Sequence, residues 1–139
     1  MDSKGLTFTE KKLRFKKDEA IFIEQEEGRK MYFIESGRVK IVKKVGDDEV
    51  TLVNLDTGAF FGEMSLITGN KRVASAIALT DCKLNTMDKE TFEANLVCDK
   101  NFLRKILETL ATRLEDADLQ LKQNLQRVDR LYKTFHITG

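Results

Sequence analysis

The residue types best suited to chemistry fall in one stretch, Phe60 to Ile77. Phe61 closes an apolar run, and Gly62 permits a close backbone approach. Glu63, Met64, Ser65 and Leu66 read as one short helical turn, whose first N–H groups lack intrahelical partners and attract anions. Thr68 to Lys71 form a polar turn that returns the chain into a strand led by Arg72. A guanidinium brought beside the helical turn is a forked donor suited to a phosphate. The Glu63 carboxylate is an acceptor for a hydroxyl. Anion donors next to a hydroxyl acceptor describe a ribose phosphate. Spacing alone leaves a second reading open, in which Glu63 and Arg72 pair across a surface loop and Gly62 is only a turn residue.

Other chemistries find little to work with. Cys82 and Cys98 lie sixteen residues apart with no CxxC pair, and the single histidine is His136. Cys and His alone cannot furnish a four-ligand zinc or iron–sulfur site here. No Ser/His/Asp or Cys/His set can be built around a histidine in the tail. No acid–base or nucleophile pair stands outside the stretch above, so the chain is expected not to be an enzyme. Lys plus Arg total 24 against 23 Asp plus Glu, a net charge of +1; a generic nucleic-acid binder carries a basic surplus. No apolar run approaches a membrane span, and the first twelve residues hold no signal-peptide core. These features predict a cytoplasmic protein with no membrane partner. At 139 residues, 41% of them hydrophobic, one domain with an ordinary core is expected.

Holding the chemical stretch in place requires a scaffold, and residues 12–88 read as short strands separated by turns. Ala20 to Ile23, Met31 to Ile34, Val39 to Val42, Val50 to Leu55, Val73 to Leu79 and Cys82 to Met87 are the strand-like runs. Gly28, Gly37, Gly46-Asp47-Asp48 and Asp56-Thr57-Gly58 punctuate them. Strands at roughly 8–12-residue spacing suggest a β-sandwich or barrel. The absence of βαβ alternation disfavours a doubly wound nucleotide fold.

Residues 89–135 read as helix. Asp88 is a candidate N-cap for a short helix carrying Phe92, Leu96 and Val97 at helical spacing, and Asp99 is a second candidate cap. From Leu103 to Phe135 the seam positions alternate four and three: Leu107, Leu114, Leu121, Val128 and Phe135 at a, Leu103, Leu110, Ala117, Asn124 and Leu131 at d. That is a heptad seam with one polar and one small member. A helix over 99–135 is about 55 Å long, more than a domain this small can cover. A self-partner is the better explanation past Leu121, while Leu103 to Leu110 fit a helix packed on its own sheet equally well. Arg113 at g and Asp118 at e oppose each other across a parallel pair, so a parallel homodimer through residues 103–135 is expected. The expected division is 1–98 for the strands and short helix, 99–135 for the long helix as part of the same domain, and 136–139 for a tail.

Phe61-Gly62-Glu63-Met64-Ser65-Leu66, followed by Arg72-Val73-Ala74-Ser75, resembles the phosphate-binding cassette of the cyclic-nucleotide-binding domain family. The family pattern runs F-G-E-[small or apolar]-[small]-L, a variable turn, then R-x-A-[S/T]. Lys71 departs from it, standing where the family often has proline before the arginine. Glu27 to Gly37 is similar to the family's second signature, a glycine turn and then a strand ending in glycine. The resemblance covers residues 13–130. It implies a mainly β fold, an eight-stranded antiparallel jelly roll followed by a short helix and a long C-terminal dimerisation helix. It also implies that Gly62, Met64 and Ser65 offer backbone donors to a cyclic phosphate. Arg72 would bind the exocyclic oxygens, Ser75 would add a hydroxyl, and Glu63 would accept from the ribose 2′-OH. Phe61, Val73 and Ala74 complete the cassette. Ile41 and Leu52 occupy strand positions that touch the purine in relatives, though either serves equally as plain core. Asp118 falls where relatives of the bacterial activator type set a side chain against the purine edge, or it simply pairs with Arg113 of the other chain.

Relatives that read DNA end in a winged helix-turn-helix. Only four residues follow Phe135, so direct DNA binding is not expected from this sequence. The resemblance implies a regulatory module whose ligand is cyclic AMP, with cyclic GMP possible and no covalently bound cofactor. Cyclic AMP is expected to be preferred because guanine-preferring relatives often place threonine where Val73 stands. The alternative is a dimeric structural or interaction protein with a vestigial nucleotide site.

Overall fold

The computed structural model describes the backbone of residues 12–137 and the side chains of residues 12–134. The side chains of Phe135, His136 and Ile137, the last two residues and the first eleven lie outside the described residues. The chain divides after Asp99 into two units.

The first unit holds eight strands: β1 (Lys12–Phe15), β2 (Ala20–Phe22), β3 (Lys30–Ser36), β4 (Val39–Val45), β5 (Asp48–Leu55), β6 (Phe60–Phe61), β7 (Ser75–Ala78) and β8 (Cys82–Asp88). A six-residue helix, α1 (Glu63–Thr68), separates β6 from β7, and α2 (Lys89–Cys98) follows β8. The strands form two antiparallel four-stranded sheets, in the orders β1-β8-β3-β6 and β2-β7-β4-β5. The jelly-roll architecture expected from the sequence is therefore present. Between the sheets lies a core of Tyr32, Ile34, Val39, Phe61, Ala76, Ala78 and Leu84. Tyr32 and Ile34 alternate onto one face of β3, as a pleated strand requires. Met31 and Phe33, on the other face, are equally buried, so β3 reads as a continuous apolar run rather than an alternating one.

One strand boundary moves, and two groups of apolar side chains lie on the surface. The strand expected over Val73 to Leu79 begins only at Ser75. Arg72 therefore lies in the connection after α1, where its backbone bonds to the β2–β3 loop instead of to a sheet neighbour. β5 is the edge of its sheet, and Val50, Leu52 and Val53 are all exposed. Val97, set at helical spacing with Phe92 and Leu96, is exposed as well, whereas Phe92 is buried. Asp88 does cap α2, its carboxylate accepting from the Thr91 N–H at 2.8 Å. That bond holds the Asp88 carboxyl below its ordinary value.

The β2–β3 loop carries Gln25 at φ 77°, a left-handed conformation that costs an L side chain about 1–2 kcal/mol. The position is kept because the Gln25 N–H donates to the Arg72 carbonyl at 2.9 Å and the Arg72 N–H to Glu26 O at 2.8 Å. Gln25→Gly is expected to raise stability by about 0.5–1 kcal/mol, the relief being partly offset by the entropy of glycine. Urea denaturation with an unchanged m-value checks this.

The second unit is α3 (Lys100–Ile137). Within it Phe102 and Ile106 are buried, while the seam residues Leu103, Leu107, Leu114, Leu121, Val128 and Leu131 are exposed. No described helix is long and apolar enough to cross a membrane.

Candidate functional site

β6 and α1 meet at Gly62, which adopts φ 84° and caps the helix without a side-chain bond. The turn drops Glu63 and Ser65 into the protein interior and leaves Met64 half exposed. α1 ends at Gly69, whose N–H donates to Ser65 O at 2.9 Å. The polar turn then delivers Arg72 beneath the start of α1.

Arg72 is held on several sides and is 4% exposed. Its Nη1 donates to the Gly62 carbonyl at 2.7 Å and its Nη2 to the Lys30 carbonyl at 2.6 Å. The guanidinium carbon stands 4.0 Å above the Phe22 ring, a cation–π geometry. Phe22 in turn leans on Tyr32 and Phe61, which stack at 5.2 Å. The Nε–H is buried and has no hydrogen-bond partner among the described residues. Burial pushes the guanidinium below its ordinary value, opposed by the fields of Tyr32, Glu63 and Glu26. Burial likewise pushes the Tyr32 phenol up. Glu63 is 2% exposed. With both residues buried, the reading of Glu63 and Arg72 as a surface ion pair is excluded.

Gly28 closes the site from the β2–β3 loop. A Cβ there would collide with the Ser65 Cβ and would lie 2.6 Å from its Oγ and 2.8 Å from the Arg72 Cζ. Only glycine lets the loop, α1 and the guanidinium approach this closely. Two open cavities flank this point. One, of about 510 Å³, is bordered by Phe22, Glu26, Lys30, Tyr32 and Arg72. The other, of about 450 Å³, is bordered by Gly28, Ser65, Gly69 and Asp88.

The structure brings Phe61, Gly62, Glu63, Ser65 and Arg72 together. Ala74 is buried just beyond them, and Val73 is half exposed. The Ser75 Oγ accepts the Glu24 N–H at 2.8 Å, so its acceptor side is engaged in holding the loop. Ile41 packs against the inter-sheet core and pairs with Val53 and Ala76. Leu52 is the extra residue of a bulge between the Ile41–Val53 and Val42–Thr51 pairs and is exposed. Asp118 is exposed on α3 and belongs to the second unit.

Sequence reasoning missed Phe22, the Lys30 carbonyl and a brace on the return segment. Lys43 Nζ donates to Val73 O at 2.7 Å and to Glu24 Oε2 at 3.1 Å. The Lys43 bond is the main cause holding the Glu24 carboxyl below its ordinary value. Lys43 follows the β4 apolar run as one more surface lysine, so only the fold reveals its reach. Phe22 could have been singled out as an aromatic two residues before the turn that precedes Gly28. Among the described residues no group of three or more His, Cys, Asp or Glu could hold a metal ion.

The sequence profile of the cyclic nucleotide-binding domain matches residues 12–97. The chain is 32% identical over 118 residues to the cyclic AMP receptor protein of Thermus thermophilus, covering 84% of this chain and 54% of that protein. The crystal structure of the Thermus thermophilus catabolite activator protein superposes with a TM-score of 0.73 at 32% identity, over 81% of this chain and 53% of the other. The EAL enzyme Bd1971 in its cyclic AMP-bound form gives a TM-score of 0.63 at 33% identity, over 84% of this chain and 32% of the other. Its cyclic GMP-bound form gives 0.61 at 33%, over 75% and 28%. The chain thus spans about half the length of its curated bacterial relative.

Proposed function

The chain belongs to the cyclic nucleotide-binding domain family, and from that premise we propose that it binds cyclic AMP in preference to cyclic GMP and relays binding through α3 of a parallel homodimer. It acts as a binding module and not as a catalyst. The observation that carries the reading is Arg72. A buried guanidinium, fixed by two carbonyls and a ring, retains an unpartnered Nε–H. An unmet buried donor on a cation is costly unless a ligand supplies the acceptor. A phosphate beside the first turn of α1 would do so, while Glu63 would take the ribose 2′-OH.

Arg72 is held in place before any ligand arrives, so little side-chain entropy is lost on binding. Gly62, Met64 and Ser65 would add backbone N–H donors to the phosphate. Met64 and Val73, half exposed, would border the ligand, with Ile41 and Leu52 on the strand side. Asp118 reads as the g–e partner of Arg113 across the parallel pair.

Base preference rests on Val73, whose carbonyl is braced by Lys43. Valine offers the guanine amino group no acceptor, and an unmet buried amino group costs about 1–3 kcal/mol. Competition titration is expected to show cyclic AMP binding more tightly than cyclic GMP. Val73→Thr should improve cyclic GMP relative to cyclic AMP by about three- to tenfold. Cyclic GMP binding the wild-type chain as tightly as cyclic AMP, or tighter, overturns the preference.

A further inference from the structure

We infer that the apolar seam of α3 changes register at Leu121, so that Leu125 and Tyr132, and not Asn124 and Leu131, meet a second copy of the chain in the C-terminal half of the helix. The inference rests on the homodimer reading above. The strict heptad places Asn124 in the seam and leaves Leu125 and Tyr132 on its flank. On the single helix Leu125 and Tyr132 are exposed at 60% and 59%, and Leu131, which the strict heptad keeps in the seam, at 55%. Tyr132 for Leu131 exchanges one large side chain for another, whereas Leu125 for Asn124 puts a leucine in the seam where the strict heptad would bury an amide.

A single extra residue in the step removes the conflict. Ala117, Leu121 and Leu125 stand four apart, and Val128 and Tyr132 then continue three and four. Two successive four-residue steps are a stutter, which unwinds the supercoil locally and shifts the contact stripe round the helix. Leu125 lies only about 40° round from Leu121 at 100° per residue, so the stripe stays continuous. Apolar side chains then fill every seam position from 103 onward, and Asn124 moves to the flank. In that register Asn124 and Asp129 occupy g and e positions five residues apart. In a parallel pair the Asn124 amide can therefore donate to the partner's carboxylate. The Asp118 position relative to Arg113 is unchanged, because the shift begins after it. In the strict heptad the corresponding flank pairs would be Gln120 with Leu125, which do not match, and Arg127 with Tyr132, a cation beside a ring; the Asn124 and Leu125 exchange therefore carries the register.

Sedimentation equilibrium on the full chain and two variants tests this. Leu125→Lys is expected to weaken the dimer at least about tenfold, and Asn124→Leu to leave its dissociation constant within about threefold. Asn124→Leu tightening the dimer tenfold, or Leu125→Lys having no effect, overturns the register. A wild-type chain that stays monomeric at tens of micromolar instead removes the dimer reading and the seam with it. Single cysteines at 124 and 125, in a Cys98→Ser background, give a second readout that does not depend on introducing a charge. The 125 variant should form the interchain disulfide faster, and faster crosslinking at 124 contradicts the proposal.

Discussion

Replacing Arg72 with alanine is expected to lower affinity for cyclic AMP at least about tenfold. A hydrogen bond to a charged group is worth about 1.5–3 kcal/mol, which converts to roughly ten- to a hundredfold. Titration calorimetry well below the unfolding temperature measures the loss. The substitution also strips the Gly62 and Lys30 carbonyls of their donor. Stability should therefore fall by about 1–3 kcal/mol per carbonyl left buried and unmet, which circular dichroism melting reports separately. Arg72→Lys keeps a cation but cannot reproduce the fork that holds both carbonyls. It should bind more weakly than wild type and better than alanine. Unchanged affinity in the alanine variant contradicts the placement of the phosphate.

Gly37→Ala is expected to be among the most damaging single methyl additions in the first unit. Gly37 has φ 101°, and its Cβ would collide with the Asp81 carbonyl oxygen while standing 2.9 Å from Cys82 Sγ. The backbone conformation costs about 1–2 kcal/mol for an L residue, and overpacking against backbone adds about 1–3 kcal/mol. A loss near 3 kcal/mol lowers the melting temperature of a domain this size by about 10 °C or more. Gly46→Ala is the control. It shares a positive φ of 65° but has nothing within 4 Å, so it should lose only about 1–2 kcal/mol. Equal losses at the two positions would show that packing at Gly37 contributes nothing.

The two glycines show where the sequence is informative and where it is not. Gly28, Gly37 and Gly46 all read as turn residues, because glycine punctuates strand runs whatever surrounds it. Which of them faces open solvent and which is pressed against Ser65, Arg72 or Asp81 depends on strands brought together from far along the chain. The strand runs, the Asp88 cap and the long helix were legible because period and capping are local, while the jelly roll was implied by the family resemblance. The order of residues from Phe61 to Ser75 was legible as a cassette only through its resemblance to the family pattern, since spacing alone left a surface ion pair open. Its supports were not. Arg72 rests on Phe22 and the Lys30 carbonyl, 50 and 42 residues earlier in the sequence, and Lys43 braces Val73 from β4. The strand expected to start at Val73 starts two residues later. Backbone bonds between residues 72 and 25–26 take the place of the sheet ladder there, and apolar patterning cannot register that exchange.

The most direct test is calorimetric titration of the full chain with cyclic AMP, with linear 5′-AMP run alongside. Saturable binding of cyclic AMP, weaker binding of the linear nucleotide, and loss of the cyclic AMP signal in the Arg72→Ala variant are the expected results. At a hundredfold excess over the dissociation constant, bound ligand should also stabilise the fold by about 2.7 kcal/mol. No binding of cyclic AMP at millimolar concentration, with the fold intact, would contradict the account and leave a vestigial site on an interaction protein.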